Sequence, residues 1–382
     1  LNEFHEVNIT SEAIEAAVDS ASRYIHERKN PDKSIDLLDA ACAKQKVLGN
    51  KGADITKQLI FEQVEKFTGV PADKLSGNNM DRIRTLELNV KNKLFGQDDA
   101  VNSILERVYV SFAGINNDTR PLASFLLLGP TGTGKTEISK LLAKNLDMPM
   151  IRFDMSEYGE RHSVSSLIGP PPGYVGFGDS QVQGGKLISE LSKNPHSILL
   201  FDEVEKAHPD IFNIFLQMLD EGKITGSNSK EVSCKNSIII LTSNLGSADN
   251  ERNNIGFGSL EKTGEDDRAF KEFFKPEFRN RLDLVTKFNK LDPLSIKKVV
   301  LKFVEELKQP LLSKHQITLN LSEEVIEHIA DVGYDPKMGA RPLGRKIDEL
   351  IRVPLSKKIL FDRVSNSNVM AVMKDGEISF EI

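Results

Sequence analysis

The chain has 382 residues, of which 39% are hydrophobic and 28% are charged, a composition typical of globular proteins. That length predicts two or three domains, at about 100 to 200 residues each. The 50 Lys and Arg residues against 56 Asp and Glu residues give a formal net charge of −6, so no overall positive field attracts nucleic acid or anionic lipid. We therefore predict no nucleic-acid partner and no membrane partner, while a local basic groove stays compatible with that total charge.

The two cysteines, Cys42 and Cys234, lie far apart and form no metal-ligand spacing with histidines, so neither a disulfide framework nor a zinc site is expected. The longest apolar runs, such as 198–201, are far shorter than the roughly 20 residues of a membrane span, and no signal-peptide pattern opens the chain. These features indicate the cytosol or an organelle matrix, and we predict a cytoplasmic location. Because Leu1 is not a start methionine, we expect the chain to be a piece of a longer protein.

The first 70 residues contain three stretches with apolar residues at helical spacing. The first has Thr10 or Ser11 as a plausible N-cap, the second follows Pro31, and the third ends near Gly69. Asn, Asp, Gly and Ser then accumulate over 72–81, which is typical of a linker. The opening of the chain is therefore predicted to be a small helical subdomain.

Beyond Leu94, short apolar runs alternate with amphipathic segments of helix length, and this alternation predicts an α/β fold with a parallel sheet flanked by helices. After Pro293 the pattern is mostly helical and closes with two β-like stretches, which predicts a smaller, mainly helical C-terminal domain. The apolar runs lie at 125–128, 150–153, 198–201 and 238–241, and the closing stretches at 369–372 and 378–380. The predicted division is 1–71, 72–93 as a linker, 94–290 and 291–382.

An octapeptide fits the pattern G-x-x-x-x-G-K-[ST] between a predicted strand and a predicted helix, the context that a phosphate loop requires. Backbone N–H groups between small residues surround phosphates at a helix N-terminus, where the helix dipole favours anions. Lys135 is expected to neutralise the β- and γ-phosphates of ATP, and Thr136 to bind Mg²⁺. The alternative is a glycine-rich turn with an exposed lysine. The octapeptide comprises Gly129, Pro130, Thr131, Gly132, Thr133, Gly134, Lys135 and Thr136.

The apolar run 198–201 ends in two carboxylates, which a parallel sheet brings to its carboxyl edge beside the phosphate loop. Asp202 is expected to bind Mg²⁺, directly or through water. Glu203 is the candidate that orients and polarises the attacking water, because phosphoryl transfer depends on positioning and charge stabilisation. An acidic strand end alone is more often a solvated turn; about 65 residues after a phosphate loop it becomes a strong signal.

Longer strings of the sequence resemble the Clp/Hsp100 branch of the AAA+ ATPases, and the ClpA-like members in particular. The resemblance extends over essentially the whole chain and implies the P-loop NTPase fold, with the first helices as the end of a preceding ATPase module. The strings are Phe153-Asp154-Met155-Ser156-Glu157-Tyr158, Pro171-Pro172-Gly173-Tyr174-Val175-Gly176-Phe177, Asp202-Glu203-Val204-Glu205-Lys206-Ala207-His208-Pro209, Thr242-Ser243-Asn244, Pro276-Glu277-Phe278-Arg279-Asn280-Arg281 and Gly339-Ala340-Arg341-Pro342-Leu343.

The resemblance also implies roles for single residues. Asn244 would help to place the attacking water, and Arg341 would sense the γ-phosphate bound to its own subunit. Arg281, with Arg279 as the less favoured candidate, would reach the nucleotide of a neighbouring subunit, which implies a ring, in this family a homo-hexamer. Phe95, beside the family's Gly-Gln pair, is assigned to the nucleotide site. Each arginine alone would be explained more simply as a surface charge.

Two further segments resemble the family's protein-handling loops. Gly173, Tyr174, Val175 and Gly176 look like the pore loop, in which an aromatic side chain grips an unfolded polypeptide; the alternative is a turn with a packed tyrosine. Ile255, Gly256 and Phe257 resemble the loop that docks on the ClpP-type serine peptidase, and the alternative there is a hydrophobic loop anchor. Residues 43–67 leave no room for the long coiled coil of the disaggregases, which favours a ClpA-like protein.

The sequence therefore predicts an ATP-dependent unfoldase and translocase, with ATP and Mg²⁺, that threads unfolded proteins, some delivered by adaptors, into a peptidase. One alternative is a Hsp100-type disaggregase that works without a peptidase. Others are a nucleic-acid motor or clamp loader, disfavoured by the acidic balance, and a nucleotide-gated binding protein that hardly hydrolyses ATP.

Overall fold

The computed structural model of the chain describes residues 1–25, 29–68, 79–117, 119–169, 185–226, 231–245, 268 and 270–382. Helices and strands are numbered in chain order within that part.

The N-terminal unit is a small helical bundle with its own apolar core. Thr10 caps the second helix, since its side chain accepts a hydrogen bond from the Ala13 N–H at 3.2 Å. The apolar faces of the three longer helices meet at fully buried side chains such as Leu37 and Val64. All three helices predicted here are confirmed. The elements are α1 (Asn2–His5), β1 (Asn8–Ile9), α2 (Ser11–Tyr24), α3 (Asp32–Val47), β2 (Asp54–Ile55) and α4 (Lys57–Thr68).

Helix α5 (Asn79–Lys91) lies within the range 72–93 that the sequence predicts as a linker. Its Leu86 and Val90 are fully buried, and they belong to the apolar core on one face of the central sheet. This helix therefore packs with the sheet that follows it.

The central sheet has five parallel strands, as the alternating pattern predicts. The strand that precedes the phosphate loop lies inside the sheet, and all of its residues are buried, because helices cover both faces. The last strand was not predicted, since its four residues, Leu-Val-Thr-Lys, lie at an edge and are only half-buried. The strands are β3 (Ala123–Leu128), β4 (Met150–Asp154), β5 (Ile198–Asp202), β8 (Ile238–Ser243) and β9 (Leu284–Lys287), in the order β4-β5-β8-β3-β9.

Alternate residues of each inner strand point to opposite faces and so build two cores. Helices α6 (Asp98–Phe112), α7 (Lys135–Leu146), α8 (Arg161–Ile168), α9 (Gly185–Lys193), α10 (Pro209–Glu221) and α11 (Pro276–Arg279) belong to this domain, and β6 (Lys223–Thr225) pairs with β7 (Glu231–Ser233). Phe125 of β3 shares one core with helices α5, α6 and α7, whereas its neighbour Leu126 shares the other with α8, α9 and α10.

The C-terminal unit is mainly helical and has its own core, the fourth among the described residues, with Val300, Ile329 and Ile351 at its centre. Its first helix is capped by Asp292. The two predicted closing strands are confirmed and pair with a third. The elements are α12 (Pro293–His315), β10 (Thr318–Leu321), α13 (Glu323–Gly333), α14 (Leu343–Ile347), a π-helical turn (Asp348–Arg352), α15 (Val353–Phe361), β11 (Asn368–Lys374) and β12 (Glu377–Glu381).

None of the helices that the structure describes is long and apolar enough to span a membrane.

Candidate functional site

The phosphate loop connects β3 to α7, and its glycines are required by backbone geometry. Gly129, Gly132 and Gly134 have φ values of 135°, 74° and 109°, a region that favours glycine. A Cβ atom on Gly132 would lie 2.2 Å from the carbonyl oxygen of Met338, and one on Gly129 would lie 2.2 Å from that of Phe288. Larger residues therefore cannot occupy these positions without moving neighbouring backbone.

Lys135 begins α7 and turns its ammonium group back to the loop. Its side chain donates to the carbonyl oxygen of Gly129, to that of Pro130 at 2.8 Å and to Asn244 Oδ1 at 3.0 Å. The residue is only 7% exposed, and burial lowers the pKa of Lys135 to about 8, against the opposing charges of nearby carboxylates. An ammonium group held in this way by hydrogen bonds is suited to bind the negatively charged oxygens of a triphosphate.

The ends of strands β5 and β8 carry the carboxylates of the site and lie beside Lys135. Thr242 donates its hydroxyl to Asp202 Oδ1 and accepts the N–H of Glu203 at 3.1 Å. Asn244 in turn donates from Nδ2 to Glu203 Oε1 at 3.2 Å. Glu203 itself has φ 58° and ψ 53°, a strained backbone for a residue other than glycine. Thr242 thus fixes the Asp202 carboxylate and the Glu203 backbone relative to the neighbouring strand.

Asn244 joins the carboxylates to the phosphate loop, because its Oδ1 accepts from Lys135 while its Nδ2 donates to Glu203. Its backbone N–H donates to Glu205 Oε1 at 2.9 Å. The sequence assigns no role to Glu205, to Thr242 or to Lys206, which pairs with Glu203. All three lie inside strings that carry the family resemblance, so the signal was present. The contacts of Glu205 and Thr242 depend on the pairing of β5 with β8, whereas Lys206 pairs with Glu203 three residues before it.

Asp202 and Thr136 are the residues predicted to bind Mg²⁺. Their oxygen atoms are of the type that this ion prefers. Asp202 is buried, and its Oδ2 lies 2.7 Å from Nη2 of Arg152, so a cation already neighbours this carboxylate. Within the described ranges no three His, Cys, Asp or Glu residues cluster to form a metal site. Mg²⁺ held by these two residues would therefore take further oxygen ligands from the nucleotide and from water.

The C-terminal unit contacts the phosphate loop directly. The N–H of Ala340 donates to the carbonyl oxygen of Gly132 at 3.2 Å. Gly339 has φ 60°, and a Cβ atom there would lie 2.5 Å from the carbonyl oxygen of Thr131. The next residue, Arg341, is exposed, and its charge contributes to the lowered pKa of Lys135. The predicted sensing arginine is therefore close to the phosphate loop of its own subunit.

The segment before α6 lies against the same loop. Leu94 is buried, with Cδ1 2.5 Å from where a Cβ atom of Gly134 would be, and Phe95 is half-buried. Gln97 is buried and donates from Nε2 to the carbonyl oxygen of Thr133 at 3.3 Å. Phe95 thus lies in the chain between two residues that contact the phosphate loop, and Gln97 is a site residue that sequence reasoning missed.

Arg281 lies near the other end of β3. Its side chain pairs with Asp220, and the guanidinium group of the alternative, Arg279, lies 5.6 Å from the ring centroid of Phe270. Two residues after Arg281, Asp283 accepts hydrogen bonds from the N–H and the hydroxyl of Ser124, at 2.7 and 2.6 Å. Ser124 is at the start of β3, whereas the phosphate loop follows its end. Arg281 is thus kept apart from its own phosphate loop.

Family models match three parts of the chain. Residues 120–285 match the AAA domain of the Cdc48 subfamily, 291–372 match the C-terminal D2-small domain of the ClpB protein, and 1–84 match an AAA lid domain. A ClpA homolog protein from Fuscovulum blasticum is 43% identical over 390 aligned positions, which include 100% of this chain and 48% of that protein. The chain belongs to the Clp/Hsp100 family of AAA+ ATPases.

Other Clp/Hsp100 proteins are similar over the same length. The ATP-dependent Clp protease ATP-binding subunit ClpC from Staphylococcus epidermidis is 35% identical over 449 aligned positions, covering 99% of this chain and 54% of that protein. Among solved structures, the extended Hsp104–casein complex of S. cerevisiae has a TM-score of 0.80 at 35% identity, covering 100% of this chain and 66% of that one. The closed state of Hsp104 with ATPγS and FITC-casein gives 0.81 at 36%, covering 99% and 66%.

These comparisons confirm the predicted AAA+ fold class of this Clp/Hsp100 member. The chain spans about half the length of the curated relatives that it matches. Two predicted sites, the pore loop at 173–176 and the docking loop at 255–257, lie outside the residues that the structure describes.

Proposed function

We propose that this chain is the second ATPase module of an ATP-dependent protein unfoldase and translocase, with residues 1–71 as the end of the first module. The observation that carries this proposal is the hydrogen-bonded connection from Lys135 through Asn244 to Glu203. It joins a phosphate-binding cation to a carboxylate suited to activate water, across the ends of the three neighbouring strands β3, β8 and β5. A nucleotide-gated binding protein that hardly hydrolyses ATP would not need the Glu203 carboxylate in this connection.

In the proposed reaction, the oxygen of water attacks the γ-phosphorus of ATP, and the bond to the β–γ bridging oxygen breaks to release ADP. Glu203 orients this water and accepts its proton, while Asn244 fixes the carboxylate through Nδ2. Lys135 stabilises the negative charge of the β- and γ-phosphates, which the backbone N–H groups of the loop surround. Mg²⁺, held by Thr136 and Asp202, would neutralise charge on the phosphate oxygens.

Two arginines complete the proposed site from different subunits. Arg341 follows the contact of Ala340 with Gly132 and acts on the nucleotide of its own subunit. Arg281 is separated from its own phosphate loop by the length of β3, so it acts on the nucleotide of a neighbour. A site that needs a neighbour implies a closed ring, which we propose is a homo-hexamer.

The proposed substrate is an unfolded polypeptide that Tyr174 grips in the central pore, delivered in some cases by adaptors. A ClpP-type peptidase docked through Ile255, Gly256 and Phe257 would receive it. The name of the staphylococcal relative, a Clp protease ATP-binding subunit, supports this proposal. The alignment with ClpC spans 449 positions, so at least 67 of them have no counterpart among the 382 residues of this chain. The alignment with the ClpA homolog spans only 390 positions, so it contains far fewer unmatched positions.

The alternative function is protein disaggregation without a peptidase, and the similarity to Hsp104 bound to casein favours it. The test uses the complete protein with a folded fluorescent protein that has an unstructured tail. We expect ATP-dependent loss of fluorescence, and peptide products only when a ClpP-type peptidase is added. Two results together would favour the alternative. The protein would restore the activity of a heat-aggregated enzyme in the absence of a peptidase, and no peptide products would form when a peptidase is added. Salt-sensitive DNA binding would favour a nucleic-acid motor instead.

The cytoplasmic location of the protein stays a prediction.

A further inference from the structure

Gln97 occupies a position between the phosphate loop and the segment that leads to the C-terminal unit. Its side chain is only 3% exposed. Nε2 donates to the carbonyl oxygen of Thr133 at 3.3 Å and to that of Asn289 at 2.8 Å, and Oε1 accepts the N–H of Asn289 at 2.9 Å. One side chain therefore contacts two backbone segments that are far apart in the sequence.

The hydrogen bonds determine which way the amide of Gln97 points. An amide has two donor hydrogens on nitrogen and an oxygen that only accepts. Turning it over would put the oxygen against the carbonyl oxygens of Thr133 and Asn289 and would leave the Asn289 N–H facing a nitrogen donor. Only the observed orientation satisfies all three partners, so Gln97 holds both segments in one arrangement.

The contact with Thr133 bears on phosphate binding. A trans peptide is planar, and the carbonyl oxygen of one residue points opposite to the N–H of the next. Because Gln97 holds the carbonyl oxygen of Thr133, it also fixes the direction of the Gly134 N–H, which points away from Gln97. Gly134 is part of the octapeptide whose N–H groups are expected to bind phosphate. A shift of Gln97 would thus turn one of these donors.

The contact with Asn289 bears on the orientation of the C-terminal unit. Asn289 lies between the end of β9 at Lys287 and the start of α12 at Pro293, the connection between the sheet and that unit. The neighbouring Gly96 approaches the first turn of α12, since a Cβ atom there would lie 2.6 Å from the Ser295 hydroxyl. The backbone around Gln97 therefore has little freedom to move independently of α12.

We propose that Gln97 is a positioning residue that couples the phosphate loop to the orientation of the C-terminal unit. Nucleotide that reorients the Thr133–Gly134 peptide pulls on the amide of Gln97, and the amide transmits this movement to the backbone of Asn289. The proposal rests on the proposed nucleotide site. A purely structural role for Gln97 would stabilise the fold and would leave the response to nucleotide unchanged.

The test measures the distance between spin labels on the two units of the 382-residue chain, with and without saturating ATPγS. Labels go on cysteines introduced at Lys144 in α7 and Lys357 in α15, which are both exposed, while the native Cys42 and Cys234 are fully buried. The variant is Gln97→Met, which keeps the size of the side chain and removes its hydrogen bonds. Gln63→Met is the matched control, because Gln63 is 4% exposed and lies in the N-terminal core.

We expect the unsubstituted chain and Gln63→Met to show the same nucleotide-dependent distance change, and Gln97→Met to bind ATPγS without it. A normal distance change in Gln97→Met, even with a lowered Tm, would overturn the proposal. So would ATPγS binding to the unsubstituted chain with no distance change. Failure of the unsubstituted chain to bind ATPγS would instead overturn the proposed nucleotide site and everything that rests on it.

A measurement on the unsubstituted chain keeps the proposal testable if Gln97→Met does not fold. The N–H of Asn289 donates to Gln97 Oε1, so its hydrogen-exchange rate reports on this contact. We expect ATPγS to change that rate by more than it changes the rate in the buried strand β5. An unchanged rate at Asn289, with ATPγS bound, would overturn the proposal.

Discussion

The guanidinium group of Arg281 forms an ion pair with the carboxylate of Asp220, in the last turn of helix α10. This helix begins at Pro209, shortly after the turn that contains Glu203 and Lys206. One helix therefore connects the carboxylate proposed to act within a subunit to the arginine proposed to act on its neighbour. A movement of the Glu203 turn would therefore reach Arg281 through this helix.

We expect Arg281→Ala to keep nucleotide binding and to lower ATP turnover of the assembled protein by about 10³-fold or more, the usual effect of losing an arginine finger. Turnover is measured as phosphate release. Arg120→Ala is the matched control, because Arg120 lies 4.0 Å from the same Asp220 carboxylate and has no proposed role in the reaction.

Mixed assemblies distinguish action on a neighbour from action within the subunit. A subunit with Arg281→Ala keeps Glu203, and a subunit with Glu203→Gln keeps Arg281, so their shared interface contains one complete site. We expect mixtures to hydrolyse ATP faster than either variant alone. Equal or lower rates in every mixture would contradict the assignment of Arg281 to the neighbouring site.

We expect Glu203→Gln to bind ATP with little change in affinity and to hydrolyse it about 10² to 10⁴ times more slowly, the range for loss of a general base. The amide keeps the size of the side chain and still accepts from Asn244, but it cannot take a proton from water. Glu106→Gln, on the exposed side of α6, controls for the loss of one negative charge. Unchanged phosphate release by Glu203→Gln would remove this residue from its proposed role.

Nucleotide affinity should fall at high pH because of Lys135. Burial lowers the pKa of its ammonium group from 10.5 to about 8, so above that pH the nucleotide-free site loses its charge. Bound triphosphate favours the charged form, and binding should then take up about one proton near pH 9. Calorimetry in two buffers of different ionisation enthalpy measures this uptake. Proton uptake near zero at pH 9, or the same uptake in Lys135→Met, would contradict the prediction.

The same pKa shift affects the stability of the nucleotide-free fold. An unfolded lysine keeps its ordinary pKa, so between about pH 8 and 10.5 the unfolded chain binds more protons than the folded chain. The contribution of Lys135 to the free energy of unfolding therefore rises with pH across that range. Denaturant titrations of the unsubstituted chain and of Lys135→Met should diverge there, and parallel pH profiles would contradict this prediction.

Gly339→Ala should weaken nucleotide binding, because the C-terminal unit contacts the phosphate loop at Gly339. The added Cβ atom would meet the carbonyl oxygen of Thr131, which is backbone and cannot move aside cheaply. Gly376→Ala is the control, since Gly376 also has a positive φ, 82°, but nothing within 4 Å of an added Cβ. Both should lose about 1–2 kcal/mol of unfolding free energy from backbone strain. Weaker nucleotide binding is expected only in Gly339→Ala, and equal affinities would argue against this contact.

The two loop predictions are tested with folded protein substrates. Phe257→Ala should leave ATP turnover unchanged and abolish peptidase-dependent degradation. Tyr174→Ala should impair unfolding whether or not a peptidase is present, because a large aromatic contact area is lost. Normal degradation by Phe257→Ala would disprove docking through this loop.

Much of the fold could be predicted from the sequence, because buried parallel strands are short continuous apolar runs with clear ends. The runs at 125–128 and 198–201 each lie within an observed strand. Strand β9 could not be recognised in this way, because an edge strand needs fewer apolar residues and its four residues include Thr286 and Lys287.

Local patterns in the sequence indicate Lys135 and Glu203 as candidate site residues. The contacts of Arg152 with Asp202 and of Gln97 with Asn289 could not be predicted, since they join residues that are 50 or more positions apart. An amide or a guanidinium group can form many different contacts, and the residues that surround it in the folded protein determine which of them it forms.

Strand β3 has a consequence for how an assembly of these chains can flex. Asp283 fastens the segment of Arg281 to the start of this strand, and the phosphate loop begins at its end, about 17 Å away at roughly 3.3 Å per residue. A rigid strand therefore sets the distance between the phosphate loop and the arginine proposed to act on a neighbouring subunit. In the proposed ring, changes in geometry would then occur at the connection around Asn289, and each large domain would turn as one block.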